Sequence, residues 1–264
     1  MGTTVHKLAG VHPDANIDEG CTIGPFCTVG PDVSIGSGTE LISHVVIDGH
    51  TTIGTDCKVY PFASIGMQSQ DLKYVAGDVT YCSLGDRNIV REYVSIHSAT
   101  EAGTRTAIGS DCALLAHAHV GHNCIVGNHV IMSHAATLGG HVNVGDRANL
   151  GGLCAVHQFC NVGEYAMVGG MSRVVKDVLP YMIVVGDPAV TRSVNKIGMQ
   201  RGDLSDEVIK DIQDVYLKLY HRDLLWADAI AKVKEEMGHL PHVQSLINAV
   251  DSSERGIAHP DKSK

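Results

Sequence analysis

The sequence predicts a mainly β protein, in which a parallel β-helix of six-residue repeats is followed by a small C-terminal α-helical domain. An aliphatic residue or Met recurs every six residues over most of the 264-residue chain, and from Leu204 onward the apolar period becomes helical. A period of six fits neither an amphipathic helix nor a half-buried strand. It fits a coil whose three flat faces each take one hexad.

The repeat occupies residues 11–65, 84–96 and 108–174, which together contain twenty-five hexads. Each hexad starts with the aliphatic residue, which we expect to point into the shaft, and has a mostly small or β-branched residue four positions later. Glycine follows the aliphatic residue in fourteen hexads, and we expect it to supply backbone angles that a Cβ forbids. Three hexads make a coil, so residues 18 apart should stack vertically.

Two segments, residues 67–83 and 99–107, break the hexad register. Loops that project from a rigid scaffold are frequent places for function. We therefore treat both inserts as candidate parts of a site.

The hexads end after Val174, and the Gly-Asp-Pro-Ala segment at 186–189 predicts a turn that leaves the β-helix. Ser205 is predicted to cap a helix whose apolar residues share one face. Two further helices are expected over 226–237 and 242–250. The sequence thus predicts a β-helix domain at 1–189 and a helical domain at 190–264.

Charge and hydropathy exclude several function classes. The chain has 20 Lys and Arg against 29 Asp and Glu, a net charge of −9, which argues against nucleic-acid binding by bulk charge. It has no run of 18 apolar residues and no apolar segment near its start, so neither a transmembrane helix nor a signal peptide is predicted. We expect a cytoplasmic protein.

The eight cysteines are predicted to be packing residues. Seven of them occupy the small position of a hexad: Cys21, Cys27, Cys57, Cys112, Cys124, Cys154 and Cys160. No Cys-x-x-Cys motif occurs, and the expected compartment is reducing, so we interpret these seven as small buried residues. Only Cys82 lies outside the register.

Histidines concentrate in the later coils. The 18-residue spacing places His122, Gly140 and Gln158 in one column, with His141 and His157 beside it. Such a column suits a groove where a base, an N–H donor and orienting groups meet a substrate, and acyl transfer with histidine as general base is one interpretation of it. The alternatives are a zinc site, suggested by the His117-x4-His122 spacing, and histidines without a chemical role.

Four segments make the chain resemble the UDP-N-acetylglucosamine O-acyltransferase family of lipid A synthesis. They are Gly-Met-Gln-Ser-Gln-Asp-Leu-Lys-Tyr at 66–74, Ala-His-Val-Gly-His-Asn-Cys-Ile-Val-Gly-Asn at 118–128, Leu-Gly-Gly-His-Val at 138–142 and Ala-Val-His-Gln-Phe-Cys at 155–160. The resemblance extends from Val11 to about Ile257. It implies that the β-helix is left-handed, whereas the general rule for parallel crossovers predicts right-handed coils.

The resemblance also implies a role for each candidate site residue. His122 matches the general base that takes the proton of the glucosamine 3-hydroxyl, and the backbone N–H of Gly140 matches the donor to the thioester oxyanion. The substrate-binding positions are matched by Asp71 and Lys73 (sugar nucleotide), His97, His119 and His141 (lining the site), His157 (near uracil), Gln158 (acyl 3-hydroxyl), Gly170 (acyl-chain depth), and Asn195 and Arg201 (nucleotide). Glycine at 170 leaves room for a longer acyl chain.

The implied reaction moves an (R)-3-hydroxyacyl group from acyl carrier protein to UDP-N-acetylglucosamine, without a metal or bound cofactor. The family assembles as a homotrimer with its sites between neighbours. Acyl carrier protein is acidic, so we expect a basic docking patch. Its predicted members are Arg173, Lys176, Arg192 and Lys196.

The sequence departs from the family pattern at three positions. Asn123 follows the base where Asp is common, and an amide can orient an imidazole but cannot stabilise an imidazolium by charge. Ile197 replaces a usual acidic nucleotide contact, and Gly202 replaces the second residue of a usual arginine pair. Two alternatives stay open: an N-acyltransferase of this fold, such as one using a 3-amino sugar nucleotide, and a non-catalytic scaffold.

Overall fold

Three parallel β-sheets form the faces of a left-handed β-helix, and α-helices follow at its C-terminal end. This computed structural model describes residues 2–220 and 224–260. Each coil contributes one short strand to each face, so strands of one sheet are mostly 18 residues apart. The predicted fold class is confirmed.

Sheets I and II are defined by their strands. Sheet I contains β1 (Thr4–Val5), β4 (Thr22–Ile23), β7 (Glu40–Leu41), β10 (Lys58–Val59), β13 (Ile89–Val90), β16 (Ala113–Leu114), β19 (Ile131–Met132), β22 (Asn149–Leu150), β25 (Met167–Val168), β27 (Met182–Gly186) and β28 (Ala189–Val194). Sheet II contains β2 (Gly10–Val11), β5 (Thr28–Val29), β8 (Val46–Ile47), β11 (Ser64–Met67), β14 (Ser95–His97), β17 (His119–Val120), β20 (Thr137–Leu138), β23 (Ala155–Val156) and β26 (Arg173–Val174).

Sheet III closes the triangular prism. It contains β3 (Asn16–Ile17), β6 (Ser34–Ile35), β9 (His50–Ile53), β12 (Tyr81–Leu84), β15 (Arg105–Ile108), β18 (Ile125–Val126), β21 (Asn143–Val144) and β24 (Asn161–Val162). The chain crosses from sheet I to II, from II to III and from III to I, and we name the three prism edges after these crossings.

The aliphatic hexad residues form the shaft of the prism, as predicted. Met132 pairs with Leu150 in the next coil, and both side chains are buried. Ladder pairs of this kind run up each face, so apolar burial along the axis holds successive coils together. The helix begins one hexad earlier than predicted, because β1 ends at Val5 and pairs with β4.

The glycines after the aliphatic residues serve a different purpose from the predicted one. Among the fourteen, only Gly66 has a positive φ, whereas corner residues such as Phe26 and Asn123 adopt positive φ with a side chain. A Cβ on Gly24 would overlap the carbonyl oxygen of Ile42 in the next coil. Glycine is therefore needed at this position because neighbouring coils approach closely.

All eight cysteines are buried and free, which agrees with their interpretation as packing residues. The Cys124 thiol, for example, donates to the carbonyl oxygen of Gly139 at 3.0 Å. Cys82 lies in β12, which extends further than the hexads predict, and burial raises the pKa of its thiol to about 12. It is one more core residue.

The predicted turn at 186–189 joins two strands instead of leading away from the prism. It connects β27 to β28, which pair antiparallel at the end of sheet I. The helices that follow are α1 (Lys196–Arg201), α2 (Asp206–Leu219), α3 (Trp226–Met237) and α4 (Pro241–Asp251). The last three confirm the prediction, and the Ser205 side chain caps α2 by accepting from the Val208 N–H.

The helices pack on the final turn of the prism. Leu179 and Met182 join one buried apolar cluster with residues of α2, α3 and α4. The domain boundary at 189/190 stays a prediction. Strand β28 spans this boundary and belongs to sheet I by its hydrogen bonds. Within residues 2–220 and 224–260, no helix has the length and apolar character needed to cross a bilayer.

Candidate active site

Both inserts leave the prism at the II/III edge. Loop 68–80 joins β11 to β12, and loop 98–104 joins β14 to β15. These loops are shorter than the predicted inserts, because β12 and β15 lengthen to four residues and pair along their whole length. His122, Gly140 and Gln158 lie at the same edge, between strands of sheets II and III, so the predicted column stands directly beside both loops.

Hydrogen bonds tie the two loops to each other. The hydroxyl groups of Ser69 and Thr100 are 2.6 Å apart, and both side chains are buried. The Gly103 N–H donates to the carbonyl oxygen of Val79 at 2.8 Å. The loops therefore form one structural unit beside the histidine column.

The side chain of Asn123 fixes the hydrogen on the His122 ring. Asn123 Oδ1 accepts the Thr100 N–H at 2.9 Å and lies 2.9 Å from His122 Nδ1. A backbone N–H can only donate, so the oxygen of the amide must face Thr100, and His122 Nδ1 must then be the donor to it. Neutral His122 accordingly carries its hydrogen on Nδ1 and presents the Nε2 lone pair.

Asn123 also fastens the second loop to the prism. Its Nδ2 donates to the Thr104 hydroxyl at 3.0 Å, and its backbone N–H donates to the Thr106 hydroxyl at 2.8 Å. One amide thus orients both the base and the adjacent loop.

The first loop brings Asp71 to the His122 ring. Asp71 Oδ2 lies 3.7 Å from His122 Nε2, the nitrogen with the free lone pair. The Asp71 N–H donates to the Ser69 hydroxyl at 3.1 Å, and Asp71 Oδ1 accepts the Lys73 N–H at 2.9 Å. This turn holds Asp71 and Lys73 at the mouth of the cleft.

Gly140 stands one coil above His122, and the geometry explains why it is glycine. A Cβ at position 140 would overlap Nε2 and Cε1 of the His122 ring. Within the described residues, the Gly140 N–H has no hydrogen-bond partner. The same hexad position is Pro13 and Pro25 in earlier coils, so this N–H takes no part in the ladder and is available to a ligand.

Two further histidines form the floor beside the base. His97 is 7% exposed, and its ring meets the His119 ring edge-on at 5.2 Å. Burial lowers the pKa of His97 to about 4 and lowers that of His119 as well. His119 Nδ1 lies 2.7 Å from the Ser95 hydroxyl. Both rings are therefore neutral hydrogen-bonding groups at pH 7.

His141 connects the column to the second loop. Its ring meets the His122 ring edge-on at 5.1 Å and stacks on Phe159 at 4.7 Å. His141 Nε2 lies 3.9 Å from Glu101 Oε1. Burial lowers the pKa of His141, and the Glu101 carboxylate partly offsets this.

Several of these groups line a cleft of about 550 Å³. The predicted site residues that line it are Asp71, Lys73, His97, His119, His122, Gly140 and Gln158. Gln70, Leu72, Gly121, Leu138 and Gly139 complete the lining. The cleft offers one oriented base, a free backbone donor beside it and polar groups on both sides.

The remaining predicted residues, including His141, do not line this cleft. His157 is exposed next to Gln158, and its Nδ1 lies 3.2 Å from Arg255 Nη2. Gly170 is at the I/II edge, where a Cβ would approach only the backbone of Gly152.

Asn195 and Arg201 lie beside the III/I edge. Asn195 caps α1 and donates to the carbonyl oxygen of Tyr165 at 2.8 Å, and the Tyr165 hydroxyl donates to the carbonyl oxygen of Gly202. One copy of the chain therefore does not bring Gly170, Asn195 or Arg201 to His122.

Within one copy of the chain, the structure does not bring together the histidines of the zinc alternative. His117 belongs to the I/II edge, where its ring stacks on Tyr93 at 4.9 Å, whereas His122 belongs to the II/III edge. Among residues 2–220 and 224–260, no three His, Cys, Asp or Glu side chains are grouped as metal ligands.

Sequence reasoning missed two residues that contact predicted site histidines. Glu101 lies in the second insert, which was predicted as a candidate site, but an insert without a repeat gives no side-chain direction. Arg255 contacts His157 from a segment 98 residues later in the chain, which no local pattern predicts. In the predicted basic patch, Arg173 is paired with Asp187 at 2.6 Å.

Comparison with known proteins points to one family. Residues 177–258 match the family model described as UDP N-acetylglucosamine O-acyltransferase, domain 2. An acyl-[acyl-carrier-protein]--UDP-N-acetylglucosamine O-acyltransferase of Akkermansia muciniphila is 48% identical over 97% of this chain and 99% of its own length. The enzyme of the same description from Myxococcus xanthus is 40% identical over 96% of this chain and 98% of its own.

Solved structures agree with the relatives. The UDP-N-acetylglucosamine acyltransferase of Francisella novicida superposes with a TM-score of 0.94 at 35% identity, covering 98% of this chain and 95% of that one. LpxA from Acinetobacter baumannii gives a TM-score of 0.91 at 39% identity, covering 97% and 99%.

Proposed function

Because this chain belongs to the UDP-N-acetylglucosamine O-acyltransferase family, we propose that it transfers an (R)-3-hydroxyacyl group from acyl carrier protein to the 3-hydroxyl of UDP-N-acetylglucosamine. This reaction starts lipid A biosynthesis. The observation that carries the proposal is the oriented His122, whose Nε2 lone pair faces the cleft beside the free Gly140 N–H.

In the proposed mechanism, His122 Nε2 takes the proton of the sugar hydroxyl as its oxygen attacks the thioester carbonyl. The carbonyl carbon becomes tetrahedral, and its oxyanion accepts a hydrogen bond from the Gly140 N–H. The C–S bond then breaks, and the proton on His122 passes to the leaving thiolate. Asp71 and Lys73 hold the sugar nucleotide, and Gln158 contacts the acyl 3-hydroxyl.

We further propose that the active unit is a homotrimer with a site between each pair of neighbours. His122 lies at the II/III edge, Gly170 at the I/II edge, and Asn195 and Arg201 at the III/I edge. These groups serve one reaction only if two copies meet. In that arrangement, Gly170 bounds the acyl chain, and its open surroundings favour a longer chain.

The acyl donor requires a basic surface on a chain whose net charge is −9. Lys176, Arg192 and Lys196 are exposed near the last coil and α1, and Arg173 contributes less because Asp187 balances it. We propose this patch as the docking site of acyl carrier protein. The same proposal places the protein in the cytoplasm.

The test is turnover by the purified protein with (R)-3-hydroxyacyl carrier protein and UDP-N-acetylglucosamine. His122→Ala should lower kcat by about 10²- to 10⁴-fold, the usual contribution of a general base. Its unfolding temperature should stay near that of the wild type. Equal rates for the two proteins would contradict the mechanism. Absence of wild-type turnover would favour a scaffold, and faster transfer to the 3-amino analogue would favour an N-acyltransferase.

A further inference from the structure

We infer that Glu101 is a positioning residue for this reaction, which stabilises the charge formed on His122 and acts through the ring of His141. The inference rests on the proposed function, because it concerns the protonated state that acyl transfer creates. Glu101 belongs to loop 98–104. The fold, and not a sequence pattern, brings this loop next to the site.

The need for such a residue follows from the partners of His122. When His122 takes the substrate proton, its ring becomes an imidazolium, but its Nδ1 partner is the neutral amide oxygen of Asn123. Asp71 lies 3.7 Å from Nε2, on the side where the sugar hydroxyl must enter. Substrate therefore separates Asp71 from the ring at the moment when the charge forms.

Glu101 is placed to take over this electrostatic role. Its carboxylate lies 3.9 Å from His141 Nε2, and the His141 ring meets the His122 ring at 5.1 Å with an interplanar angle of 89°. The Phe159 ring stacks on His141 and holds the His141 ring in place. Glu101, His141 and His122 therefore form a contiguous path from the carboxylate to the base.

The other charged and titratable groups of the cleft do not supply the missing charge. Lys73 is a cation, which disfavours an imidazolium nearby. His97 and His119 are kept neutral by burial, which lowers the pKa of each. Besides Asp71, Glu101 is the carboxylate that the described contacts connect to the histidine column.

The backbone at Glu101 is fixed by the residue that orients His122. The Glu101 carbonyl oxygen accepts the Thr104 hydroxyl at 2.6 Å, and that hydroxyl accepts Asn123 Nδ2 at 3.0 Å. Asn123 thus sets the tautomer of the base and also holds the backbone from which the Glu101 carboxylate extends.

The test compares the pH dependence of kcat/KM in wild type, Glu101→Gln and Glu101→Asp. Loss of the negative charge makes the imidazolium less stable, so the acid limb of the Glu101→Gln profile should move to lower pH. Its kcat should fall by about three- to tenfold, the effect of one partly screened charge. KM for the sugar nucleotide should be unchanged, and Glu101→Asp should recover most of the loss.

Glu235→Gln is the matched control, since it removes the same charge from the exposed face of α3. An active wild type with an unchanged kcat and pH profile in Glu101→Gln would overturn the inference and leave the proposed function intact. A rise in KM alone would also overturn it, because it would indicate substrate contact. An inactive wild type would instead refute the proposed function on which the inference rests.

Discussion

At the scale of single residues, the chemistry depends on which nitrogen of His122 carries the hydrogen. The Thr100 N–H orients the Asn123 amide, and that amide in turn requires a hydrogen on His122 Nδ1. Asparagine therefore supplies the orienting part of a catalytic dyad without its charge. The carboxylates nearest to the column are those of Asp71 and Glu101, at 3.7 Å from His122 Nε2 and 3.9 Å from His141 Nε2.

The first residue-scale prediction concerns Gly140. Gly140→Ala should reduce kcat by at least about tenfold, because the new Cβ overlaps the His122 ring and displaces the base. Gly152→Ala is the matched control, since Gly152 has the same hexad position and its Cβ would meet only the His134 carbonyl oxygen at 3.4 Å. Steady-state kinetics on both variants checks this, and equal activities would contradict the steric argument.

The second residue-scale prediction concerns pH. The pKa of His97 is about 4 in the folded chain, below its ordinary value of 6.5. On acidification, the unfolded chain takes up this proton first, so the stability is fully present above pH 6.5 and is lost as pH falls toward 4. His97→Gln should flatten this dependence by up to about 1.4 kcal/mol per pH unit.

Urea unfolding at several pH values between 4 and 7 measures the effect. His119 and His141 contribute in both proteins, so the informative quantity is the difference between the two curves. Parallel curves would show that His97 is not the buried neutral group described here.

The residue column could be predicted from the sequence, but its chemistry could not. Spacing alone places His122, Gly140 and Gln158 in one line, because the coil length is fixed at 18. The tautomer of His122 depends on the Thr100 N–H, which enters from an insert without periodicity. No pattern in the sequence gives the direction of that N–H.

At the scale of elements, the two loops at the II/III edge convert a regular prism into a site. Ser69 is the residue that joins them, since its hydroxyl contacts Thr100 and accepts the Asp71 N–H. The loop that presents Asp71 is thereby held against the loop that orients the base.

Ser69→Ala should raise KM for UDP-N-acetylglucosamine by about fivefold, because losing a buried hydrogen bond costs about 1 kcal/mol and loosens the Asp71 turn. The wild-type unfolding temperature should be nearly kept, since the loop lies outside the shaft. Ser34→Ala, on the outer face of β6, is the control for loss of a hydroxyl. An unchanged KM in Ser69→Ala would contradict the role assigned to this contact.

Elements that belong to a pattern repeated over many residues were predictable, and elements outside such a pattern were not. The hexads give the strands and their pairing because each aliphatic residue must be buried. Helix α1 has only six residues and no apolar period, and it forms because Asn195 caps it against Tyr165. The β27–β28 hairpin was missed because its turn resembles an exit from the prism.

At the scale of the whole molecule, the prism distributes the predicted site over its three edges. His122, Gly170 and Arg201 are associated with different edges, and a straight prism cannot bring them together. A symmetric ring of copies brings different edges of neighbouring chains into contact. The central claim is therefore that two chains share one acyl-transfer site around His122.

Mixed subunits test this claim most directly. His122→Ala and Arg201→Ala should each have little activity, but trimers that contain both chains should regain it. Every mixed ring has one interface that joins an intact His122 to an intact Arg201. Turnover that rises with the mixed fraction, measured beside native mass spectrometry, is the predicted result. Mixed trimers as inactive as either parent would contradict the account.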